Sequence, residues 1–363
     1  MDISNLISTL SEASASLSAK NELSEEQRLK LHEACEGLSG RLATPGEHLM
    51  KTSSGCIEPA LVRVAIERGI LDLFNGADQA GRDFDDVEIA AQTNTDPVLT
   101  GYLQNTEYKV PDNINAGLFQ DTFQTKMPFW DWMQTHKGEQ GAFHRLMEAT
   151  ASSKEKAWTN YIPDEWYSKR LTSVTAHNEK FVFVDVGGSH GHEMEAFMQR
   201  FPATKGRYIL QDLESVSEGI GTETGHGSMC EDIPRQSNGI ERMPHSFLDP
   251  QPIRAANIYL LSRILHDWPD REARQILGHL RDAMTKESTL FIWERVFPDR
   301  LSNVSQIDVL CDAAMMAFFS SAERSEGQFR DLLKSAGLSL VNVWRVGPAG
   351  EDTQAVLEVV REN

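Results

Sequence analysis

Three stretches of the 363-residue chain carry residue types and spacings that can do chemistry. The first is Asp185-Val186-Gly187-Gly188-Ser189-His190-Gly191, which continues the apolar run Phe181-Val182-Phe183-Val184. An apolar run that ends in glycines predicts a buried strand and a tight turn into a helix, where the backbone can approach a ligand closely. Asp212 stands at the end of the next expected strand, a place where an acid accepts hydrogen bonds from ribose hydroxyls. The glycines do not match Gly-x-Gly-x-x-Gly, and their spacing, with an acid two residues ahead, suits a nucleoside carrying a sulfonium amino acid better than a pyrophosphate. A tight turn that binds nothing is the competing reading. The second stretch is Ile264-Leu265-His266-Asp267-Trp268-Pro269-Asp270. His266 is a natural general base because its unperturbed pKa lies near working pH, and Asp270 is placed to cap the following helix. The third is a pair of acids, Glu294 late in a strand and Glu323 within Ser321-Ala322-Glu323-Arg324-Ser325-Glu326. A carboxylate beside His266 would orient its ring and stabilise the imidazolium. Taken singly, each has a plainer reading: a solvated loop histidine, a strand-end acid, or an acid favoured at a helix N-terminus.

These residues need a scaffold that brings them to one rim. Strands are expected at Phe181–Val186, at Arg207–Leu210 ending in Gln211-Asp212, and at Asn257–Leu261, Ser288–Val296, Leu338–Val346 and Ala355–Arg361. Helices are expected between them. One carries Met194, Phe197, Met198 and Phe201; one spans 270–284 with Ala273, Ile276, Leu277, Leu280 and Met284 on one face; one carries Phe329, Leu332, Leu333 and Ala336. Alternating strands and helices predict a doubly wound α/β domain, with ligands beyond the carboxyl ends of the strands. The first half reads as helical. Leu6, Ile7 and Leu10 share a face within residues 1–40, residues 59–74 form a strongly apolar helix, and Asp86–Ala91 forms a short one before the Asn94–Pro97 turn. Residues 104–125 show no clear period, the aromatic cluster Phe129-Trp130-Asp131-Trp132 follows, and a helical stretch lies near 141–160. The boundary falls near 160–178, dividing the chain into 1–165 and 166–363.

Composition narrows the function. Asp and Glu outnumber Lys and Arg by 54 to 35, giving a net charge of −19, which argues against a nucleic-acid partner. No apolar run approaches the ~20 residues of a membrane span, and the N-terminus does not read as a signal peptide. Cys35, Cys56, Cys230 and Cys311 form no Cys-x-x-Cys pair, so reduced thiols in a cytoplasmic protein are expected rather than a zinc ribbon or a disulfide scaffold.

The run from Val184-Asp185-Val186-Gly187-Gly188 through Gln211-Asp212-Leu213, Leu265-His266-Asp267-Trp268, Glu294 and Glu323-Arg324-Ser325 resembles the class I S-adenosylmethionine-dependent O-methyltransferases. The closest flavour is the fungal secondary-metabolite type, related to caffeate and flavonoid O-methyltransferases. The resemblance covers the C-terminal half well and residues 59–101 loosely. It implies a Rossmann-like methyltransferase domain and an N-terminal winged-helix dimerisation domain that lends residues to its partner's pocket in a homodimer. It also implies a metal-independent transfer of methyl from S-adenosylmethionine to a phenolic or enolic hydroxyl of a small aromatic or polyketide-type metabolite. His266 matches the base and Glu294 and Glu323 the acids flanking it. Gly187, Gly188, Asp212 and Asp267 match cofactor contacts, as do the positions of Ser246, Phe247 and Ser262. Phe129, Trp130, Met315, Met316 and Phe319 are expected to line the acceptor pocket, although aromatic and Met stripes also serve as core. The chain departs from the pattern at Ser246, where an acid is usual, at Ser262, where a basic residue is usual, at Ser189 in place of a third glycine, and in a short winged-helix region. These departures keep two further readings open: a methyltransferase-like dehydratase or pericyclase that transfers no methyl, and a non-catalytic partner subunit.

Overall fold

A computed structural model describes residues 97–107, 109–140, 143, 157–169, 181–214, 216, 239–299, 305–345 and 353–362, with scattered helical positions between residues 9 and 38. The chain divides into two compact units, Met1–Thr52 and Ser53–Asn363, and the second carries everything that follows. The helices expected at 59–74 and 86–91 and most of residues 1–40, the winged-helix region, Cys56 and Cys230 lie outside the described residues.

The C-terminal half is one sheet of eight strands: β1 (Phe181–Val186), β2 (Gly206–Asp212), β3 (Ile240–Pro244), β4 (Ile258–Ser262), β5 (Thr289–Phe297), β6 (Arg324–Ser325), β7 (Leu338–Trp344) and β8 (Gln354–Arg361). The order is β3-β2-β1-β4-β5-β8-β7, with β6 pairing β5 off this path. Strands β3 to β5 along this order are parallel, and β8 lies antiparallel between β5 and β7. The central strands are covered on both faces, so they read as continuous apolar runs rather than alternating ones. Their period of two still sorts the side chains. Phe181 and Phe183, Ile258 and Leu260, and Phe291 and Trp293 enter an aromatic core with Trp158, Tyr167 and Phe197. Val184 and Val186, Tyr259 and Leu261, and Leu290 and Ile292 enter the opposite, mainly aliphatic core.

Helices fill the two faces. α4 (His192–Arg200) buries Met194 and Phe197, and α5 (Asp270–Ala283) buries Ala273, Ile276, Leu277 and Leu280. α7 (Glu326–Ser335) buries Phe329, Leu332 and Leu333, and begins with a capping box in which Ser325 and Gln328 satisfy each other's backbone N–H groups. Before the sheet come α1 (Pro97–Asn105), α2 (Leu118–Phe123), α3 (Phe129–Thr135) and a 3₁₀ turn at Trp158–Tyr161. α6 (Gln306–Phe319) packs against α1, α2 and α3 through Met315, Met316 and Phe319.

Several expectations shift. Strand β3 has no counterpart in the expected set: Ile240-Glu241-Arg242-Met243-Pro244 is a half-exposed edge, so no buried face imposes an apolar pattern. The strand expected at Asn257–Leu261 is Ile258–Ser262, and the one expected to reach Val346 ends at Trp344. Residues 104–125 contain α2, too short to display a helical period. The described end of the stretch near 141–160 is the 3₁₀ turn at Trp158–Tyr161. Asp270 does not cap α5. Pro269 occupies the cap position, and Asp270 lies in the first turn, where its carboxylate accepts hydrogen bonds from Arg274 and Arg324.

Ile276 is fully buried between α5 and the sheet. Truncating it to Ala removes apolar contacts and leaves a cavity, so Ile276→Ala should lower unfolding free energy by about 2–5 kcal/mol. Chemical denaturation would show this as an earlier midpoint with an unchanged slope.

Candidate active site

The strand order reverses between β1 and β4, the place at which a doubly wound sheet offers a ligand crevice beyond the carboxyl ends of its strands. The turn after β1 forms one side and the turn after β4 the other. Gly187 and Gly188 both donate their backbone N–H to Gln211 O, at 2.8 and 3.1 Å, which ties the glycine turn to β2. Gly187 has φ 72°, and a Cβ there would lie 2.8 Å from Ile264 Cδ1 and 3.1 Å from Phe247 Cε1. A Cβ on Gly188 would lie 2.5 Å from Asp185 Cγ. Both glycines are therefore needed for close approach of the chain to itself. Asp212 Oδ2 accepts the Ser189 N–H at 2.8 Å and Oδ1 accepts the Leu213 N–H at 2.7 Å, so Asp212 fastens the turn at the end of β2.

Asp185 is fully buried beneath this turn, and neither carboxylate oxygen has a hydrogen-bond partner among the described residues. Burial pushes its pKa well up, and the charges of Glu193 and Asp212 push it further. Glu193, in the first turn of α4, is raised to about 7 by burial, against the opposing pull of Arg263 at 3.5 Å. Three acids thus border the glycine turn, and the most buried one is unpaired.

Across the crevice, Leu265–Asp267 forms a 3₁₀ turn that presents His266. Its Nδ1 lies 3.1 Å from Glu323 Oε1 and 3.6 Å from Glu294 Oε2. Its Nε2 lies 3.5 Å from Asp267 Oδ1. Glu294 is fully buried near the end of β5, and its Oε1 accepts the N–H groups of Ile264 and Leu265 at 2.9 and 2.7 Å. The same carboxylate therefore shapes the turn and faces the ring it presents. Arg324 grips the turn from the other side. Its guanidinium donates to Leu265 O at 2.7 Å, to Trp268 O at 2.8 Å and to Asp270.

The electrostatics of this cluster are collective. Burial alone would lower the His266 pKa, but Glu294, Glu323 and Asp267 outweigh it and raise it to about 10. Asp267 is raised to about 7 by burial, against the attraction of the ring. Burial also raises Glu294. Buried opposite charges this close titrate as a unit. His266, Glu294 and Glu323 also bring donor atoms within 4.8 Å of one another, a set of types able to hold a divalent cation. The observed pairing of Nδ1 with a carboxylate, and of Glu294 with two amides, is what an oriented base requires.

The remaining expected residues fall into place as follows. Ser246 Oγ accepts the Leu248 N–H at 3.3 Å, Phe247 packs edge-on against Trp268, and Ser262 Oγ is buried at the end of β4 with no partner. Phe129 and Phe319 are buried and meet edge to face; Phe129 also meets Trp130 edge-on, and Phe319 stacks on Trp130 beside Met315. Met316 turns to a separate cluster with Tyr102, Leu103 and Leu118. Of these five, Trp130 also lines a small pocket, with Met133, Gln134, Phe143, Leu213 and Val216. Leu213 and Val216 follow Asp212 directly, so the pocket adjoins the carboxyl end of β2. Sequence reasoning passed over Arg295, Asp308 and Asp312 around Glu323. Their only signal was their position beside Glu294 and within the helix preceding Glu323.

Residues 113–339 match the model of the O-methyltransferase domain family. The chain belongs to this family. S-adenosylmethionine is the methyl donor that the family uses. The O-methyltransferase asqD of Emericella nidulans is 33% identical over 254 residues, 69% of this chain and 61% of that protein. The matched segment thus spans less than two thirds of that relative's length. Among solved structures, the LepI complex with SAM has a TM-score of 0.62 at 21% identity, covering 99% of this chain and 100% of that one. OxaC in complex with SAH and oxaline has a TM-score of 0.61 at 22% identity, covering 99% of both. These likenesses establish a Rossmann-like methyltransferase fold.

The glycine turn of this methyltransferase fold leaves no room for a Cβ. Gly187→Ala forces a methyl into Ile264 and Phe247 at a positive φ, and should cost about 1–3 kcal/mol. Thermal melting of the ligand-free protein would register the loss, whereas Gly239→Ala, which meets no neighbouring atom but has the same sign of φ, would show the backbone contribution alone.

Proposed function

We propose that this chain transfers a methyl group from S-adenosylmethionine to a phenolic or enolic hydroxyl of a small aromatic or polyketide-type molecule, with His266 as the general base. The observation that carries the reading is the His266 ring held at 3.1 Å by one buried carboxylate and at 3.6 Å by another, on the rim of the crevice that the glycine turn borders. The residues present fit the donor. Asp185 is a buried carboxyl without a hydrogen-bond partner among the described residues, and Glu193 and Asp212 stand beside it, so the crevice suits a nucleoside that brings hydrogen-bond donors and whose positive charge would draw these carboxyls back toward ionisation. Asp212, Gly187 and Gly188 would hold its nucleoside end, with Ser246, Phe247, Ser262 and Asp267 around it.

Bound there, S-adenosylmethionine supplies a methyl carbon made electrophilic by a positive sulfonium. His266 Nε2 takes the acceptor's proton as that oxygen becomes nucleophilic, and Glu323 and Glu294 stabilise the imidazolium so formed. Arg324 and the Glu294 carboxylate hold the turn so that the ring keeps its aim. Trp130 and the pocket beside it offer an apolar wall to the acceptor, with Phe129, Met315, Met316 and Phe319 behind. Residues 1–165 would form the dimerisation and substrate-lid domain, and residues 166–363 the methyltransferase domain.

His266→Ala should lower kcat roughly 10²–10⁴-fold, the usual contribution of a general base, while the affinity for S-adenosylhomocysteine measured by calorimetry stays within about twofold. Full turnover in that variant overturns the assignment. Donor carrying an isotopic methyl label separates transfer from a dehydration or ring closure, because only transfer moves label into product. Overnight dialysis against a chelator should leave turnover unchanged; a loss restored by a divalent cation would make the His266 cluster a metal centre.

The pH dependence follows from the charges facing the ring: Glu294 from β5, Glu323 from the segment before β6, and Asp267 from its own turn, itself influenced by Arg263. A raised pKa keeps the ring protonated at neutral pH, and a base must be neutral, so kcat/KM should rise with pH toward the cluster's apparent pKa. Glu323→Gln removes an anion and lowers that pKa, so the rising limb should move to lower pH. A limb that stays in place would separate Glu323 from the base.

A further inference from the structure

Glu323 sits among like charges. Glu294 and Asp312 both feel it as a neighbouring negative charge, and Asp312 Oδ1 accepts the Glu323 backbone N–H at 2.8 Å. Two cationic groups lie near its Oε1: the His266 ring at 3.1 Å and the Nε of Arg295 at 3.9 Å. Arg295 is itself tethered. Its guanidinium donates to Asp308 Oδ1, which also accepts the Thr353 hydroxyl at 2.7 Å. Asp308 Oδ2 accepts the hydroxyl of Ser305, the N-cap of α6, at 2.6 Å. Thr353 is fixed in turn, because its carbonyl accepts the Val296 N–H at 2.7 Å. An unbroken line of polar contacts therefore runs from the start of α6 through Asp308, Arg295 and Glu323 to the ring.

We propose that Arg295, anchored by Asp308, is a positioning residue that holds the Glu323 carboxylate on His266 Nδ1 against the repulsion of Glu294 and Asp312. The proposal rests on the reading of His266 as the base, and it assigns to two residues outside the crevice a part in setting how readily that base gives and takes a proton. Without a cation on its outer side, Glu323 is pushed from Glu294 and Asp312 and leaves the ring, and His266 loses its nearest counter-charge. Neutralising Arg295 and neutralising Glu323 then have the same consequence for the ring. A merely structural arginine would not link them.

The experiment is the titration of the His266 imidazole, followed by NMR in the ligand-free full chain for wild type, Glu323→Gln, Arg295→Gln, Arg295→Lys and the Glu323→Gln/Arg295→Gln pair. Glu323→Gln and Arg295→Gln should each lower the apparent pKa of the ring, the pair should shift it no further than Glu323→Gln alone, and Arg295→Lys should restore most of the wild-type value. In turnover, Arg295→Gln should move the rising limb of the pH profile to lower pH, as Glu323→Gln does. It should also reduce the limiting kcat on the high-pH plateau, where the ring is neutral in every variant, about tenfold with KM within about twofold. Arg295→Gln strands the buried Asp308 carboxylate, so Arg295→Gln/Asp308→Asn, in which Asp308 no longer carries a charge, carries the same measurement if the single variant does not fold. An unchanged or raised ring pKa in the Arg295 variants, or a shift that adds in full to that of Glu323→Gln, overturns the proposal. The two readings fail separately: an active His266→Ala removes the base while leaving the titration coupling intact, and absent shifts with an inactive His266→Ala remove the coupling alone.

Discussion

A single buried carboxylate, that of Glu294, ties the chemistry of the molecule to its fold. Removing an ionised carboxyl from water costs several kcal/mol unless partners replace the lost hydration. Here one oxygen receives two backbone N–H groups of the turn after β4, and the other faces the ring that the turn presents. The position of His266 is therefore set by the same contacts that make burial of Glu294 tolerable. Strand β5 supplies the carboxylate from the middle of the sheet, where its neighbours β4 and β8 fix it on both sides. Arg324 completes the arrangement by pairing the turn's outward carbonyls, so the turn is held from within by an anion and from without by a cation.

The opposite wall of the crevice has the reverse character. It is a wall of acids with few partners among the described residues: Asp185 has none for either oxygen, and Glu193 pairs with Arg263 at 3.5 Å. Buried polar groups in native proteins are nearly always paired, and under the proposed function a ligand's donating groups would supply the partners that Asp185 lacks. The glycines matter for the same reason. They allow β1, β2 and the turn after β4 to approach so closely that any side chain would fill the space. The glycine turn follows β1 and the His266 turn follows β4, so the reversal of strand order between these two strands sets them side by side at the carboxyl edge of the sheet.

Much of the fold could be read without coordinates. Buried parallel strands require apolar residues on both faces, so Phe181–Val186 and Ser288–Val296 announce themselves as runs, and α5 and α7 do so through apolar residues at helical spacing. β3 could not be read this way, because an edge strand such as Ile240–Pro244 has no buried face to enforce a pattern. Asp270 was misplaced because capping depends on backbone angles one residue away, and Pro269 took the position. His266 and the glycine turn stand after expected strands, Glu294 late in one and Glu323 just before an expected helix, and a doubly wound sheet sends such positions to one edge.

What the sequence by itself determined is the order of strands and helices, and with it the list of loops that gather at the ligand-facing rim. Only the tertiary structure decided which charges share a hydrogen bond, which stand unpaired and which oppose one another. Arg295 follows Glu294 in the chain and nothing in that adjacency distinguishes it, yet it lies 3.9 Å from Glu323. Asp185 is one acid among 54 acidic residues, yet it is buried with no partner. The physical reason is that Coulomb and desolvation energies depend on distance and on exclusion of water, and residue order specifies neither.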